Sequence, residues 1–590
     1  LTGRDCGQPE RAPMCGVPFH SYESYVARLI AKGYKVAICE QMEDPALAKG
    51  LVKRDVIRVI TPGTVIESSM LQDDKNNYIC SIYLEGDKAG ICFADVSTGQ
   101  TYATQLGGAS VSGQIITELC RYTPSEVLFN EATLSLKEVT AYIKQHMACA
   151  VELMENEAYA GAQDTLQAQF GDEGWPSGGL AQDGPAGLAV AGLLAYLGRT
   201  QKHGVERLKT VVSYAEAQYM QLSPVTRANL ELTQTMRGRE KRGTLLWVLD
   251  KTKTAMGART LRSMVEQPLI DRAEIEKRHE AIAELNDHVI TREELREYLN
   301  PIYDLERLIG RISYQTANPR DLIAFRTSLE MLPHIHTLLG EFHSPLLCEL
   351  REDLDVLSDI QSMIAAAIQD DPPISIRDGD IIRDGYHEDV DRYRKAKTEG
   401  KSWLAKLEAE EREKTGIKNL KIKYNKVFGY YLEVTNSYKD MVPDTWMRKQ
   451  TLTNAERYIT PELKELEDTI LGAEDKLTSL EYGLFCELRE NIASQVLRIQ
   501  RTAKAVAMVD VFASLAFVAE RNHYVRPVMN EKGSIEIKGG RHPVVERMIE
   551  NDMFIPNDTS LDNSQNRISV ITGPNMAGKS TYMRQVALIV

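Results

Sequence analysis

The stretch PELKELEDTILGAEDKLTSLEYGL, residues 461–484, reads as a helix with one continuous apolar stripe. Leu463, Leu466, Ile470, Ala473, Leu477, Leu480 and Leu484 alternate three and four residues apart, the spacing that keeps a seam facing a partner helix over many turns. Upstream, positions 386, 390, 393, 397, 400, 404 and 407 repeat that spacing. Five of them, Tyr386, Val390, Tyr393, Leu404 and Leu407, are apolar or aromatic. Helical patterning continues from residue 463 towards Glu520 without a proline, a stretch of about 58 residues that would reach on the order of 85 Å if unbroken. Two such seams predict a pair of long antiparallel arms.

The segment between the arms is not helical. Leu420 to Tyr424 and Gly429 to Thr435 alternate as strands do, on either side of Asn425 to Phe428. From Gly416 to Arg457 there are eight basic residues (Lys418, Lys421, Lys423, Lys426, Lys439, Arg448, Lys449, Arg457) against four acidic ones. The arms should therefore carry a small, basic, β-containing head at their tip.

Working outward, Leu208 to Gln369 is almost wholly helical in pattern, punctuated by Pro268, Pro301, Pro319 and Pro333, and Asp370 to Gly385 reads as a connecting loop. Nearer the N-terminus, Tyr22 to Ala31 has helical spacing. Val36 to Glu40 and Val56 to Ile60 read as strands, the second ended by the turn Thr61-Pro62-Gly63. Tyr78 to Leu84, Gly90 to Val96, Thr101 to Gln105 and Glu126 to Phe129 are four more strands, interleaved with helix. They make a separate α/β domain, closed by the turn-rich run Gly171 to Pro185 and an apolar helix after it.

At 590 residues the chain is too long for one core, and several domains are expected. A net charge of −14 argues against nucleic-acid binding by the chain as a whole, but a local patch sets the field at a binding face. Nine cysteines, scattered from Cys6 to Cys486 without a C-x-x-C pair, fit reduced thiols acting as small buried hydrophobes in a cytoplasm. The longest nearly uncharged apolar stretch read from the sequence, Ala186 to Leu197, is too short to cross a bilayer. No basic segment leads into an apolar one near Leu1, so neither an export signal nor membrane attachment is expected.

The sharpest local signal is Gly573-Pro574-Asn575-Met576-Ala577-Gly578-Lys579-Ser580, which fits G-x-x-x-x-G-K-[ST]. Glycines let such a loop wrap phosphates with its N–H groups. The lysine places a charge on the outer phosphates, the Ser580 hydroxyl offers a ligand to Mg²⁺, and the following helix presents its positive end. Arg567 to Thr572 reads as a β-branched strand entering the loop; a P-loop strand is normally central in a parallel sheet, and the neighbours of this one are expected outside this chain. Tyr582 to Val590 reads as the helix leaving it.

Thr572 to Gln585 resembles the P-loop of the MutS family of DNA mismatch-repair ATPases, and Gly540 to Glu546 (GRHPVVE) resembles the segment preceding it. Asn454 to Lys464 (NAERYITPELK) and Lys426 to Tyr431 (KVFGYY) are similar to the family's clamp. Pro13 to His20 (PMCGVPFH), Ala37 to Gln41 and Thr61 to Thr64 are similar to its N-terminal domain. The likeness runs in order along the whole chain. It implies a multidomain fold, α/β and all-α: the remainder of a mismatch-reading domain over 1–66, an α/β connector over 67–199, a helical core over 200–384, lever helices over 385–520 with a clamp at about 417–461, and the start of a P-loop ATPase domain over 521–590.

The resemblance also implies ATP and Mg²⁺ as cofactors. Gly573 to Thr581 would hold the nucleotide, with Asn575 and Lys579 at the γ-phosphate and Ser580 on the metal. Phe554 is the candidate to stack on adenine, with His542 nearby. Arg448, Lys449, Asn454, Arg457 and Tyr458 combine charge, amide and phenol groups suited to DNA phosphates. The partners implied are double-stranded DNA with mispaired or unpaired bases, a second copy of the chain and a MutL-type repair protein, in a bacterial cytoplasm. Two departures stand out. The family's Phe-x-Glu wedge does not precede Pro13 and is expected upstream of Leu1, while Phe485-Cys486-Glu487 falls in the heptad helix. The acidic metal-binding strand and catalytic residues are expected beyond Val590, so this chain by itself should not hydrolyse ATP. A relative that binds recombination junctions is the nearest alternative, although such relatives often lack the first domain. A long-coiled-coil structural ATPase would place its P-loop before the coil.

Overall fold

The structure, a computed structural model, describes residues 2–4, 12–14, 16–17, 21–41, 52–108, 110–176, 180–201, 205, 208–215, 218–425, 429–549, 552–575 and 577–590. Cys15, Pro18 to His20, Lys426 to Phe428 and Met576, which belong to the motifs above, lie outside the described residues. The chain forms two compact units, one of residues 1–316, 327–357 and 495–590, the other of residues 317–326 and 358–494.

The first unit opens with a short antiparallel pair, Thr2–Arg4 and Ala12–Met14. The helix Tyr22–Ile30 follows, then the antiparallel strands Val36–Gln41 and Arg54–Ile60. Val26 and Ile30, one helical turn apart, close with Ile60 and Val65 into a small core. The α/β domain is a six-stranded sheet. Its spatial order is Val212–Ser213, Gln100–Gly107, Lys88–Asp95, Tyr78–Glu85, Glu126–Phe129, Ala150–Leu153. The hairpins of the first half are antiparallel, and the later strands join in parallel through crossover helices. Both faces are covered. The buried helix Pro185–Gln201 lies on one, and Val111–Tyr122 and Lys137–His146 on the other. The turn-rich run is shorter than its composition suggests, because helix Ala162–Gly174 continues through a kink at Gly171 and Pro185 opens the next helix at its first turn.

Thr61 and Gly63 of the turn are anchored by Glu126, which is fully buried. The carboxylate accepts from the Thr61 hydroxyl at 2.5 Å, the Gly63 amide at 3.0 Å and the Tyr196 hydroxyl at 2.6 Å. The segment after it is held through its backbone. Gln72 and Lys75 carbonyls accept from Arg307 at 2.8 and 2.9 Å, Asp73 O from Arg259 at 3.1 Å, and Asp74 O from Arg262 at 2.9 Å. Arg259 is itself clasped by Asp304 and Glu306, each at 2.6 Å. All three arginines come from core helices, Ala255–Glu266 and Leu305–Ser313.

The core of this unit is built around helix Val496–Arg521. By length and composition it is apolar enough to cross a membrane, but 72% of its most apolar window is buried inside the protein. It is a core helix. Asp510 on it is buried and accepts from the Lys253 and Thr254 amides and the Thr254 hydroxyl at 2.7–3.0 Å, closing the first turn of Ala255–Glu266. Three donors that would otherwise need water are thus satisfied. Pro333, expected to punctuate, lies inside the helix Pro319–Leu339. Proline keeps a helical φ and forfeits one hydrogen bond there, and the flanking Leu329, Leu332 and Ile335, all buried, hold the helix together.

The second unit contains the arms. The outgoing helix is Glu388–Thr415 and the returning helix Pro461–Ala493, 28 and 33 residues long. The latter is about 50 Å long. The return stretch does not run unbroken to Glu520. It stops at Ala493, and the Val496–Arg521 helix begins after two residues in turn conformation. Ser494, whose hydroxyl bonds back to Asn491 O at 2.7 Å, competes there for the helical carbonyls. The heptad seam is formed: Val390, Leu404, Leu463, Ile470, Ala473 and Leu477 are buried. Gly400 lets the helices close up, since a Cβ there would sit 2.5 Å from Ile470 Cγ1. Beside the seam, Lys397 meets Glu474 at 2.7 Å. Arg394 meets the buried Glu481, also at 2.7 Å.

Candidate nucleic-acid interface and nucleotide loop

Between the arms stands a four-stranded antiparallel sheet in the order Lys421–Asn425, Gly429–Thr435, Ala455–Ile459, Met447–Thr451. Strand alternation divides its residues. Leu432, Val434, Tyr458 and Trp446 pack with Ile417, Leu420 and the arm residues Leu404 and Leu463. The opposite face carries Lys421 and Lys423 beside Glu433 and Tyr431, in register with Arg457.

The sequence-expected contacts separate on this frame. Arg448, Lys449 and Asn454 are exposed. The strand register slips between Arg448 and Gln450, which leaves Lys449 as the extra residue of a bulge on an edge strand. Arg457 is half-buried, stacked on the Tyr431 ring at 4.4 Å, bonded to Gln450 at 2.7 Å and 3.8 Å from Glu433. Tyr458 departs furthest from expectation. Its ring is buried beside Trp446 and its hydroxyl bonds to Glu456. Burial and that carboxylate push its pKa up to about 12. The alternation Glu456-Arg457-Tyr458 turns the phenol inward, which composition alone does not reveal.

The acidic minority cancels part of the basic patch. Lys423 pairs with Glu433 at 2.7 Å and Arg448 with Glu456 at 3.4 Å. Among the described residues, Lys418, Lys421, Lys439 and Lys449 are exposed and form no ion pair. Lys421 and Lys449 occupy the two opposite edge strands. Sequence reasoning counted Lys418, Lys421 and Lys439 but did not single them out. Lys421 is in register with Glu433, but that carboxylate is taken by Lys423, which the sequence does not show.

The G-x-x-x-x-G-K-S loop runs directly into helix Lys579–Ile589, as expected. Gly578 takes φ +79°, a left-handed conformation that favours glycine. The Lys579 ammonium bonds to the carbonyls of Gly573 and, at 2.9 Å, Pro574. Asn575, Ala577 and Ser580 are exposed, and Thr581 is half-buried. The strand expected at Arg567 to Thr572 is absent. Ile568 and Val570 stand 84% and 82% exposed. A strand exists by pairing, and none of the described residues pairs with this segment.

Phe554 is half-buried ahead of strand Asn557–Leu561. His542 is buried, and its Nδ1 accepts from the Val544 and Val545 amides at 3.3 and 3.2 Å. Burial, then the Arg584 charge, lowers its pKa. It therefore stays a neutral acceptor that shapes the turn into helix Val545–Met548. Tyr582 ties the P-loop helix to that strand through Thr559 Oγ1 at 2.7 Å.

The chain matches four family models in order: MutS domain I over residues 1–69, domain II over 77–210, domain III over 225–516 and domain V over 569–590. A relative from Ruminiclostridium cellulolyticum, named DNA mismatch repair protein MutS, is 51% identical over the entire chain, which covers 68% of that protein. The chain belongs to the MutS family. Two further relatives of the same name extend the likeness to this MutS-family chain. One from Lachnoclostridium phytofermentans is 58% identical over the whole chain, which spans 63% of its length. One from Caldanaerobacter subterraneus is 50% identical, with 67% of its length covered. The mixed α/β N-terminal region and the helical core are those of the MutS architecture.

Proposed function

We propose that this chain is part of an ATP-dependent protein that recognises mispaired or unpaired bases in double-stranded DNA and so initiates mismatch repair. Its relatives carry that name across the full length of the chain. The observation that carries the reading is the head, with four exposed lysines, among the described residues, free of ion pairs at the end of a paired-helix arm, in a chain otherwise acidic. Such lysines neutralise backbone phosphates without reading sequence, so they hold the duplex while discrimination comes from the N-terminal domain. On this reading residues 1–66 belong to the mismatch-reading domain, 67–199 to the connector, 200–384 to the core and 385–520 to the levers and clamp. Residues 521–590 open the ATPase domain.

The nucleotide would be ATP with Mg²⁺. Lys579 would exchange its bonds to the loop carbonyls for the phosphates, Asn575 would reach the γ-phosphate, Ser580 would bind the metal, and Phe554 would stack on adenine. His542 would act through the shape of its turn. A second copy of the chain and a MutL-type protein are the partners this function calls for, in a bacterial cytoplasm. The test is a titration of paired and single-mismatch duplexes at two salt concentrations. Binding should weaken steeply with salt, and Lys449→Ala should reduce the slope of log affinity against log salt by up to about one. An absence of duplex binding at low salt, or a slope that Lys449→Ala leaves unchanged, overturns the head as the phosphate-binding element.

A further inference from the structure

Outside the head and the P-loop, the first unit has a cavity of about 140 Å³ where the end of helix Val496–Arg521 meets the short helices Leu245–Leu249 and Val545–Met548. Trp247, Lys251, Phe517, Arg521, Asn522 and Arg547 line it. Three cations thus converge on one small space.

Their counter-charges are missing. Among the described residues no carboxylate pairs with Lys251, Arg521 or Arg547. The acids nearby are committed elsewhere, Asp250 to Lys241 at 2.7 Å and Glu520 to Arg292 at 2.5 Å. Lys251 gives two of its three hydrogens to the carbonyls of Trp247 and Asp250 at 3.2 and 3.1 Å. Its pKa is lowered by burial and then, against the opposing Asp250, by the charges of Arg547, Lys241 and Arg521. Asn522 is buried, and its side-chain oxygen has no hydrogen-bond partner. The faces of Phe517 already receive the guanidiniums of Arg296 at 4.5 Å and Arg521 at 5.9 Å, so the cavity is suited to a small polar anion and unsuited to a stacked ring.

We propose that this cavity is a phosphate-binding site, with Arg521 and Arg547 supplying the fork-like donors, Lys251 the remaining ammonium hydrogen, and Asn522 an acceptor for a protonated phosphate oxygen. A bound phosphate cancels the mutual repulsion of the three cations. It also fastens the segment carrying His542 and Arg547 to the end of the core helix. The group can come from free inorganic phosphate or from the terminal phosphate of a nucleotide.

The test uses the Lys579→Ala chain, so that the P-loop is disabled throughout. Inorganic phosphate and, separately, ADP are titrated by calorimetry, with chloride at matched ionic strength as the reference. Saturable phosphate binding that Arg547→Gln weakens at least tenfold supports the site. Equal or tighter ADP binding with the same dependence on Arg547 names the nucleotide as the source, and phosphate binding alone names the free anion. Arg547 is exposed on a four-residue helix, so its substitution leaves the fold intact, and Arg521→Gln supplies an independent second variant. If neither ligand binds saturably, or if binding is the same in both variants, the site does not exist.

Discussion

At the scale of single residues, the most consequential is Asp510. In the sequence it is one more position in a helical run, yet it is buried and orders the first turn of another helix. Burial raises its pKa from 3.8 to about 6, against the opposing hydrogen bonds from Lys253 and Thr254. The folded state then binds a proton more tightly than the unfolded chain does. The stabilisation from protonation is complete below about pH 4 and is lost as pH rises through about 6, a difference of about 3 kcal/mol. Asp510→Asn should remove that slope between pH 4 and 6, in thermal or denaturant unfolding followed across the window. An unchanged slope would assign the dependence to other groups. Arg457 shows the same lesson in the head. Its pairing with Tyr431 and Glu433 predicts that Arg457→Ala loosens the sheet, measured as faster amide exchange in strands Gly429–Thr435 and Ala455–Ile459. Lys449→Ala should leave exchange unaltered while weakening duplex binding.

At the scale of elements, the heptad seams, the head and the strands of the connector sheet were legible because each announces itself by a period of side chains. The seam also makes a prediction. Gly400→Leu must push Ile470 aside, so the arms should separate locally at a cost of about 1–3 kcal/mol. Accelerated exchange in both helices around residues 400 and 470 measures it, and Ile470→Ala in the same chain should restore protection. What was illegible shares a cause. Pro333 lies within a helix, Arg567 to Thr572 forms no strand, and Tyr458 turns inward, because in each case packing or pairing with distant residues decides. Periodicity contains no such information. The P-loop was plain because its glycines and lysine are fixed by local geometry. Among the described residues, the unpaired lysines could be told from the paired cations only once Glu433 was seen to take Lys423 and Glu456 to take Arg448.

At the scale of the whole molecule, residues 72–75, between the segments that match MutS domains I and II, are joined by buried charge to helices of the segment that matches domain III. Arg259 bridges Asp304, Glu306 and the Asp73 carbonyl while almost wholly buried. Removing one member of such a group leaves the others uncompensated, and Arg259→Ala should cost about 3–5 kcal/mol. Limited proteolysis should then cut within residues 72–77 under conditions that leave the unaltered chain intact. Arg259→Lys, lacking the fork, should be cut at an intermediate rate.

The arginines grip Gln72 and Lys75 by their main-chain oxygens, atoms that every amino acid possesses. Gln72, whose side chain is exposed, is therefore free to drift over generations with little consequence, whereas Arg307 has no substitute able to reach both carbonyls at once. A saturation library selected for folding should accept most replacements at Gln72 and almost none at Arg307. The molecule can thus keep the same joint while the letters that spell its linker change.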